Sequence, residues 1–314
     1  MTPVRVGVVG LGLIGGSIAR RLIELPERWE ALALTRTKGT AVEAADAGIQ
    51  IAGSVEELAK QAELVVVATP PKNTASVIAA VLAADEDVLV TDVASVKAPI
   101  ASAVTGEDRY LPSHPLAGAE TSGWAAARAD LLDGTTWAVC PPSPTAPPDL
   151  LCRFGELFDA FDARLIVCDP REHDLAVAQT SHAPHVVAAA LAAAIRRHDS
   201  PGLAAALSGG AFRDITRVAR ADPAMWQEIF ELNEANVAAA LADLRETLDG
   251  EPPWESGREA AELADRLRWQ TPEWERREFD WPAWDELREL GRAGTAIRRP
   301  AADGDGFAAE VNIT

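Results

Sequence analysis

The sequence predicts an α/β protein: a doubly wound parallel sheet at the N-terminal end, followed by a domain made entirely of helices. Three observations carry this. Short valine-rich runs alternate with helical stretches between residues 4 and 168, the pattern of strands buried on both faces and joined by crossover helices. The first run, Val4–Val9, leads straight into Gly10-Leu11-Gly12-Leu13-Ile14-Gly15 and then a helical pattern over 17–25. From Pro170 the strand signals cease, and an alanine-rich helical pattern takes over through Leu248. A chain of 314 residues, 48% of them hydrophobic, can bury a core in each of two domains.

Strand, G-x-G-x-x-G and helix in that order form a Rossmann-type nucleotide-binding unit. The glycines permit a tight turn and let a pyrophosphate approach the backbone, whose N–H groups at the helix start bind anions. Gly10, Gly12, Leu13, Ile14 and Gly15 are therefore expected to contact a dinucleotide. The next strand, 31–34, ends in Thr35-Arg36-Thr37-Lys38, where NAD enzymes usually carry an acidic residue for the ribose 2′-hydroxyl. No carboxylate stands here to repel a 2′-phosphate, and Arg36 between Thr35 and Thr37 suits one. NADP is favoured over NAD, although Arg36 stacked on the adenine would serve either cofactor.

The alternation continues. Residues 43–47 and 55–62 read as helices, and 64–68 as a buried strand ending in Thr69-Pro70-Pro71. A helix over 73–83 and a strand over 88–92 follow, and the strand ends in Val93-Ala94-Ser95-Val96-Lys97. Strands at 136–140 and 164–168 are expected to complete the same sheet, joined by a proline-rich surface connection over 141–148. Ligands bind at the carboxyl ends of parallel strands. The loops 10–15, 69–71, 94–97 and 114–120 are therefore expected on one edge, with Thr69 and Pro70 against the nucleotide.

The composition shift sets the first domain at 1–169 and a helical domain at 170–292, with 293–314 expected to be a flexible tail. Pro184 must interrupt the helix begun near Glu172, since proline has no N–H for the ladder. Asp222 before Pro223 is an N-cap signal for a helix over 223–249. Charged helices are expected over 255–268 and 281–290, and Trp254, Trp269, Trp274, Trp281 and Trp284 are expected to pack.

His114 marks the candidate chemistry. It is one of five histidines, and its prolines and glycine in Ser113-His114-Pro115-Leu116-Ala117-Gly118 predict a loop. Imidazole suits proton transfer at neutral pH. Taken alone, Ser95 reads as a helix N-cap for Val96 onward. The net charge of −19 argues against nucleic acid, so an anionic substrate would need particular Arg or His residues to hold it. No apolar run has membrane-spanning length and no signal peptide is read, so the chain is expected to be cytoplasmic and to have no membrane partner. Cys140, Cys152 and Cys168 have no close-pair spacing, which predicts reduced thiols and no zinc. His182 and His185 have no evident third ligand, so no metal is expected.

The ordered motifs GLGLIGGS, DVASVK, HPLAGAETSG, SHAPH, SGGAFRDITRVA and DPAMW span residues 4–248. Together they resemble the prephenate/arogenate dehydrogenase family of tyrosine biosynthesis; Ala94 stands where a glycine is common. The resemblance implies an NAD(P)-dependent oxidative decarboxylation and a helical domain that forms a homodimer. It casts His114 as acceptor of the ring-hydroxyl proton, with Ser95 orienting it. It also implies substrate contacts from Arg217, His185, Trp226 and Gly210, with Glu120 at the pocket mouth. Prephenate is the expected small-molecule substrate; arogenate and 4-amino-4-deoxyprephenate remain open. The other readings are a β-hydroxyacid dehydrogenase, an imine reductase and a non-catalytic nucleotide-binding protein. The absence of any lysine after Lys97 counts against lysine-based relatives of the same architecture, and the joint presence of His114, Ser95 and Arg217 counts against a catalytically dead protein.

Overall fold

In the computed structural model, residues 2–141, 146–147, 149–197, 199–250, 253–268 and 271–313 are described. The chain forms two units, Met1–His173 with Pro253–Thr314, and Asp174–Pro252.

The first unit begins as the sequence predicts. β1 (Val4–Val9), β2 (Trp29–Leu34), β3 (Gln50–Ile51), β4 (Leu64–Val67), β5 (Leu89–Asp92) and β6 (Tyr110–Leu111) form one parallel sheet in the order β3-β2-β1-β4-β5-β6. α1 (Leu13–Ile23), α2 (Lys38–Asp46), α3 (Val55–Gln61), α4 (Pro71–Ala84) and α5 (Ala98–Ala103) provide the crossovers. β4 and β5 are buried along their whole length, as Val65, Val66, Val67 and Val90 require. The parallel order sets the loops after β1, β2, β4 and β5 along one edge.

The remaining strands do not extend that sheet. β7 (Ser113–Pro115), β8 (Thr136–Val139) and β9 (Arg164–Val167) start a second sheet, ordered β10-β12-β11-β9-β8-β7. β8 and β9 are parallel, and β7 runs antiparallel to β8. α6 (Leu150–Arg153) and α7 (Gly155–Asp159) precede β9, and Trp137, Phe154, Phe158 and Phe161 fill the core beside them. The parallel pairing also brings Cys140 and Cys168 together, with their sulfurs 3.6 Å apart, although 28 residues separate them in sequence. Part of the 141–148 connection, including Pro148, lies outside the described residues.

Among its described residues the second unit has helices joined by short turns and no strand. α8 (Pro170–Val177) crosses into it and runs through a π turn at Ala178–His182 to α9 (Ala183–Ala194). Pro184 lies in the first turn of α9, so the expected interruption occurs just before it. α10 (Pro201–Ala206) and α11 (Gly210–Thr216) lead to a 3-10 turn at Arg217–Arg220, then to α12 (Pro223–Leu232) and α13 (Glu234–Asp249). The Asp222 carboxylate caps α12 by accepting from Ala224 N at 2.9 Å. The single helix expected over 223–249 is broken at Asn233. The side chain of Asn233 is buried, where it donates to Asp174 O at 2.8 Å and lies 3.1 Å from His182 Nδ1. These bonds fix a residue that an uninterrupted helix would have carried on through.

The C-terminal expectations need correction. The helical domain does not extend to 292, and residues 293–314 are not a flexible tail. α14 (Trp254–Arg268) is followed by β10 (Glu273–Asp280), α15 (Trp284–Arg292), β11 (Ile297–Asp303) and β12 (Gly306–Ile313). β11 pairs with β9 at Ile297↔Leu165, so the chain end adds three strands to the first unit. Phe307 stacks on Phe279 and Trp281, and the indole of Trp284 donates to Ala146 O at 3.0 Å. Trp254 is exposed, and Trp269 lies outside the described residues. β10 is an outer strand whose Glu and Arg residues face solvent, a charged edge that discourages further pairing.

Candidate active site

The glycine turn is dictated by contacts within the protein itself. Gly10 has φ +103°, and a Cβ there would lie 2.4 Å from Ala68 O. A Cβ on Gly15 would lie 2.0 Å from Gly10 O. Gly12 is different: nothing lies within 4 Å of its Cβ position, so its glycine answers to no neighbour in the chain. α1 starts there with no side-chain cap and no acidic residue in its first turn. Its leading N–H groups and dipole therefore suit an anion such as a pyrophosphate. Leu13 and Ile14 are half-buried in the first turn of α1. Arg36 and Thr37 are exposed just past β2, with Thr35 half-buried before them. Thr69 and Pro70 follow β4, and Thr74 of α4 donates to Pro70 O at 3.2 Å, which fixes that turn.

A buried polar network underlies His114. Asp92 ends β5, and Lys97, five residues on, is wholly buried beside it. The ammonium of Lys97 pairs with Asp92 Oδ2 and donates to Ser113 O at 2.7 Å. Asp92 also accepts from Tyr110 Oη at 2.7 Å and from Ala94 N at 3.0 Å. Burial, then the neighbouring Asp92 charge, push the Tyr110 phenol well above its ordinary pKa, so it stays protonated and donates. Ser113 Oγ donates to Asp92 O at 2.8 Å and lies 2.9 Å from Thr91 Oγ1. Lys97 thus ties the 93–97 loop, which carries Ser95, to the residue preceding His114.

His114 itself lies on β7, opposite Ala138 of β8, and not in the loop that its prolines predict. Three residues suffice for this strand, because Pro115 takes its end, where a missing N–H costs no ladder bond. The ring is half-buried, and its Nδ1 is 2.9 Å from Nε2 of His173. Ser95 is half-buried and caps no helix, because α5 begins at Ala98 behind Lys97. Glu120 is exposed beyond β7. Arg268, at the end of α14, donates to Leu116 O at 3.0 Å and to Thr136 Oγ1 at 3.2 Å, so the C-terminal segment braces the chain just after His114.

In the second unit, His185 stacks on Trp226 with ring centroids 3.6 Å apart and 26° between planes. Its Nδ1 is 2.9 Å from Ser181 O. A carbonyl only accepts, so Nδ1 carries the hydrogen and Nε2 of the neutral ring presents a lone pair. Burial, followed by the positive charge of Arg217, lowers the His185 pKa, which keeps the ring neutral at neutral pH. Arg217 is exposed at the start of its 3-10 turn, and Gly210 opens α11 with nothing near its Cβ position. Arg213 and Asp214 form an exposed pair at 3.6 Å. His182 is buried, meets Trp226 edge-on with ring centroids 5.9 Å apart, and has Nδ1 3.1 Å from the Asn233 amide.

The sequence-predicted residues are divided between the two units. The glycine turn, Ser95 and His114 belong to the first unit, and His185, Trp226 and Arg217 to the second. Sequence reasoning assigns no site role to Asp92, Tyr110, His173 or Lys97. The opposite charges of Asp92 and Lys97 at the end of an apolar strand were a usable signal; the His114–His173 pair, 59 residues apart, left none.

Comparison with known proteins places the chain among relatives. The family model described as "Prephenate dehydrogenase, nucleotide-binding domain" matches residues 29–167. The model described as "Prephenate dehydrogenase, dimerization domain" matches 169–254. The chain is 32% identical over 244 residues to the prephenate dehydrogenase of Bacillus subtilis, covering 73% of this chain and 64% of that protein's length. It is 29% identical over 260 residues to the cyclohexadienyl dehydrogenase of Zymomonas mobilis, covering 76% and 86% respectively. The solved prephenate dehydrogenase of A. aeolicus, in complex with hydroxyphenyl propionate and NAD+, superposes with a TM-score of 0.73 at 27% identity, over 85% of this chain and 96% of that one.

Proposed function

Because the chain belongs to the prephenate dehydrogenase family, we propose that it oxidatively decarboxylates prephenate to 4-hydroxyphenylpyruvate with NAD(P)+. The observation that carries the reading is His114, half-buried on β7 and tied through Ser113 to the network that also holds the Ser95 loop. A bound nicotinamide would supply the acceptor for the hydride of the ring carbon that bears the hydroxyl. His114 takes the hydroxyl proton as the hydride leaves. The ring carboxylate then departs as carbon dioxide, the electrons of its C–C bond complete the aromatic ring, and His114 returns the proton to the phenolic oxygen. Ser95 orients the hydroxyl or the imidazole. Arg217 holds a substrate carboxylate, which answers the electrostatic demand set by a net charge of −19. Neutral His185 offers Nε2 as a hydrogen-bond acceptor, and Trp226, Gly210 and Glu120 are assigned to substrate contacts.

The glycine turn with its uncapped helix fits the pyrophosphate. Arg36, with Thr35 and Thr37, is assigned to a 2′-phosphate, giving a preference for NADP+. Arg36→Ala is expected to raise KM for NADP+ by on the order of tenfold to a hundredfold, the worth of one charge-assisted hydrogen-bonding group. KM for NAD+ should stay within about twofold, and equal loss with both nucleotides would remove the preference. Exposed Leu203, Leu207 and Ile215 in the second unit support a homodimer built through that unit. A steady-state matrix of prephenate, arogenate and 4-amino-4-deoxyprephenate against NAD+ and NADP+ tests the assignment. The expected result is reduced nicotinamide formed fastest with prephenate and NADP+; no turnover with any of the three substrates would sink the enzymatic reading.

A further inference from the structure

We infer that His173 is the positioning residue for His114, holding it in the one tautomer that can act as a base and sharing its charge once protonated. The inference rests on the proposed role of His114. Nδ1 of His114 and Nε2 of His173 lie 2.9 Å apart, with ring centroids at 5.1 Å and planes at 76°. One hydrogen must lie between those nitrogens, since each neutral imidazole has one N–H and one lone pair.

Two arrangements satisfy that contact. If His173 donates from Nε2, His114 accepts at Nδ1, its own hydrogen sits on Nε2, and Nε2 cannot take a proton. If His114 donates from Nδ1, its Nε2 carries the lone pair and is a base. Only the second arrangement supports the reaction, and it requires His173 to be the acceptor with its hydrogen on Nδ1. Protonation of His114 at Nε2 then strengthens the bond already made, because the imidazolium Nδ1–H donates to a neutral ring that can take part of the charge.

The part resembles that of the carboxylate behind the histidine of a hydrolytic triad, with one difference of consequence. A buried carboxylate would favour the imidazolium and so weaken the drive to take up charge only on catalysis. A neutral imidazole sets the same tautomer without adding negative charge. His173 is also well placed to be rigid. It is 4% exposed, in the first turn of α8 directly after β9, and its N–H donates to Asp169 O at 2.9 Å. Glu172 beside it accepts from Arg292 of α15 at 2.9 Å, which moors that turn to the C-terminal segment.

The test compares wild type, His173→Leu and His173→Gln by steady-state kinetics with prephenate, together with nucleotide binding and melting temperature. Gln places an amide oxygen near the former Nε2 and keeps the acceptor, whereas Leu removes it. His173→Leu is expected to lower kcat by about 10–100-fold with KM for prephenate and nucleotide affinity nearly unchanged. His173→Gln is expected to recover kcat to within about fivefold of wild type. A Leu variant with wild-type kcat, or a Gln variant as slow as the Leu variant, overturns the inference. If the Leu variant does not fold, the Gln variant decides alone: near wild-type kcat supports the inference, and a fall beyond a hundredfold overturns it. An inactive wild-type enzyme would defeat the proposed function itself, so the two failures are distinguishable.

Discussion

Replacing His114 by asparagine is expected to lower turnover by on the order of 10²–10⁴-fold, the usual worth of a positioned acid–base group. Asparagine keeps a similar size on β7 and a polar contact toward His173, but it has no nitrogen that can take a proton at neutral pH. The glycine turn, Arg36 and the Thr69–Pro70 segment are untouched, so nucleotide affinity measured by fluorescence titration should match wild type. Loss of turnover with intact nucleotide binding assigns His114 to the chemical step. Unchanged turnover would remove it from that role, and a parallel loss of nucleotide binding would recast it as structural.

The largest effect on stability is expected from Lys97→Met. Lys97 and Asp92 are both fully buried, and the ammonium also satisfies Ser113 O. Removing one partner of a buried pair leaves an uncompensated charge, a loss of about 3–5 kcal/mol. Tyr110 and the Ala94 N–H still donate to Asp92 and soften the penalty. The double change Lys97→Met with Asp92→Asn removes both charges and should destabilise by clearly less than the sum of the single changes. Denaturant melts of the three variants check this. A single-variant loss below about 1 kcal/mol would show that the pair contributes as little as an exposed one. Because Lys97 holds the Ser95 loop against the strand of His114, kcat should fall with stability.

The nucleotide-binding part of the fold was legible because its signals are local. β1 runs straight into the glycine turn, β4 is an unbroken Leu64–Val67 run, and buried parallel strands show themselves as continuous apolar stretches. The helical second unit was legible from alanine-rich composition, and the Asp222 cap from two adjacent residues. The second sheet was not legible, because its order joins β7, β8 and β9 to strands more than 100 residues later. β10 reads Glu-Trp-Glu-Arg-Arg-Glu-Phe-Asp, with only Phe279 buried, so the charges of an outer strand conceal its apolar face. The break at Asn233 depends on a side chain finding Asp174 O across 59 positions, which no helical pattern announces.

The site divides along the same line. The roles of Gly10, Gly12 and Gly15 follow from the turn that they form. His114 stood out by residue type, yet its strand, its buried support and its partner His173 are tertiary facts. The roles assigned to Arg217, His185 and Trp226 came from the ordered motifs; the stacking of His185 on Trp226 gives two of them a physical setting.

The most direct measurement of the central claim is stoichiometry. The protein is mixed with prephenate and NADP+, and reduced nicotinamide, carbon dioxide and the phenolic product are followed in one reaction. Equal amounts of all three are expected, because hydride loss and departure of the ring carboxylate belong to one aromatising sequence. Reduced nicotinamide formed without carbon dioxide, or carbon dioxide formed without reduced nicotinamide, would contradict it.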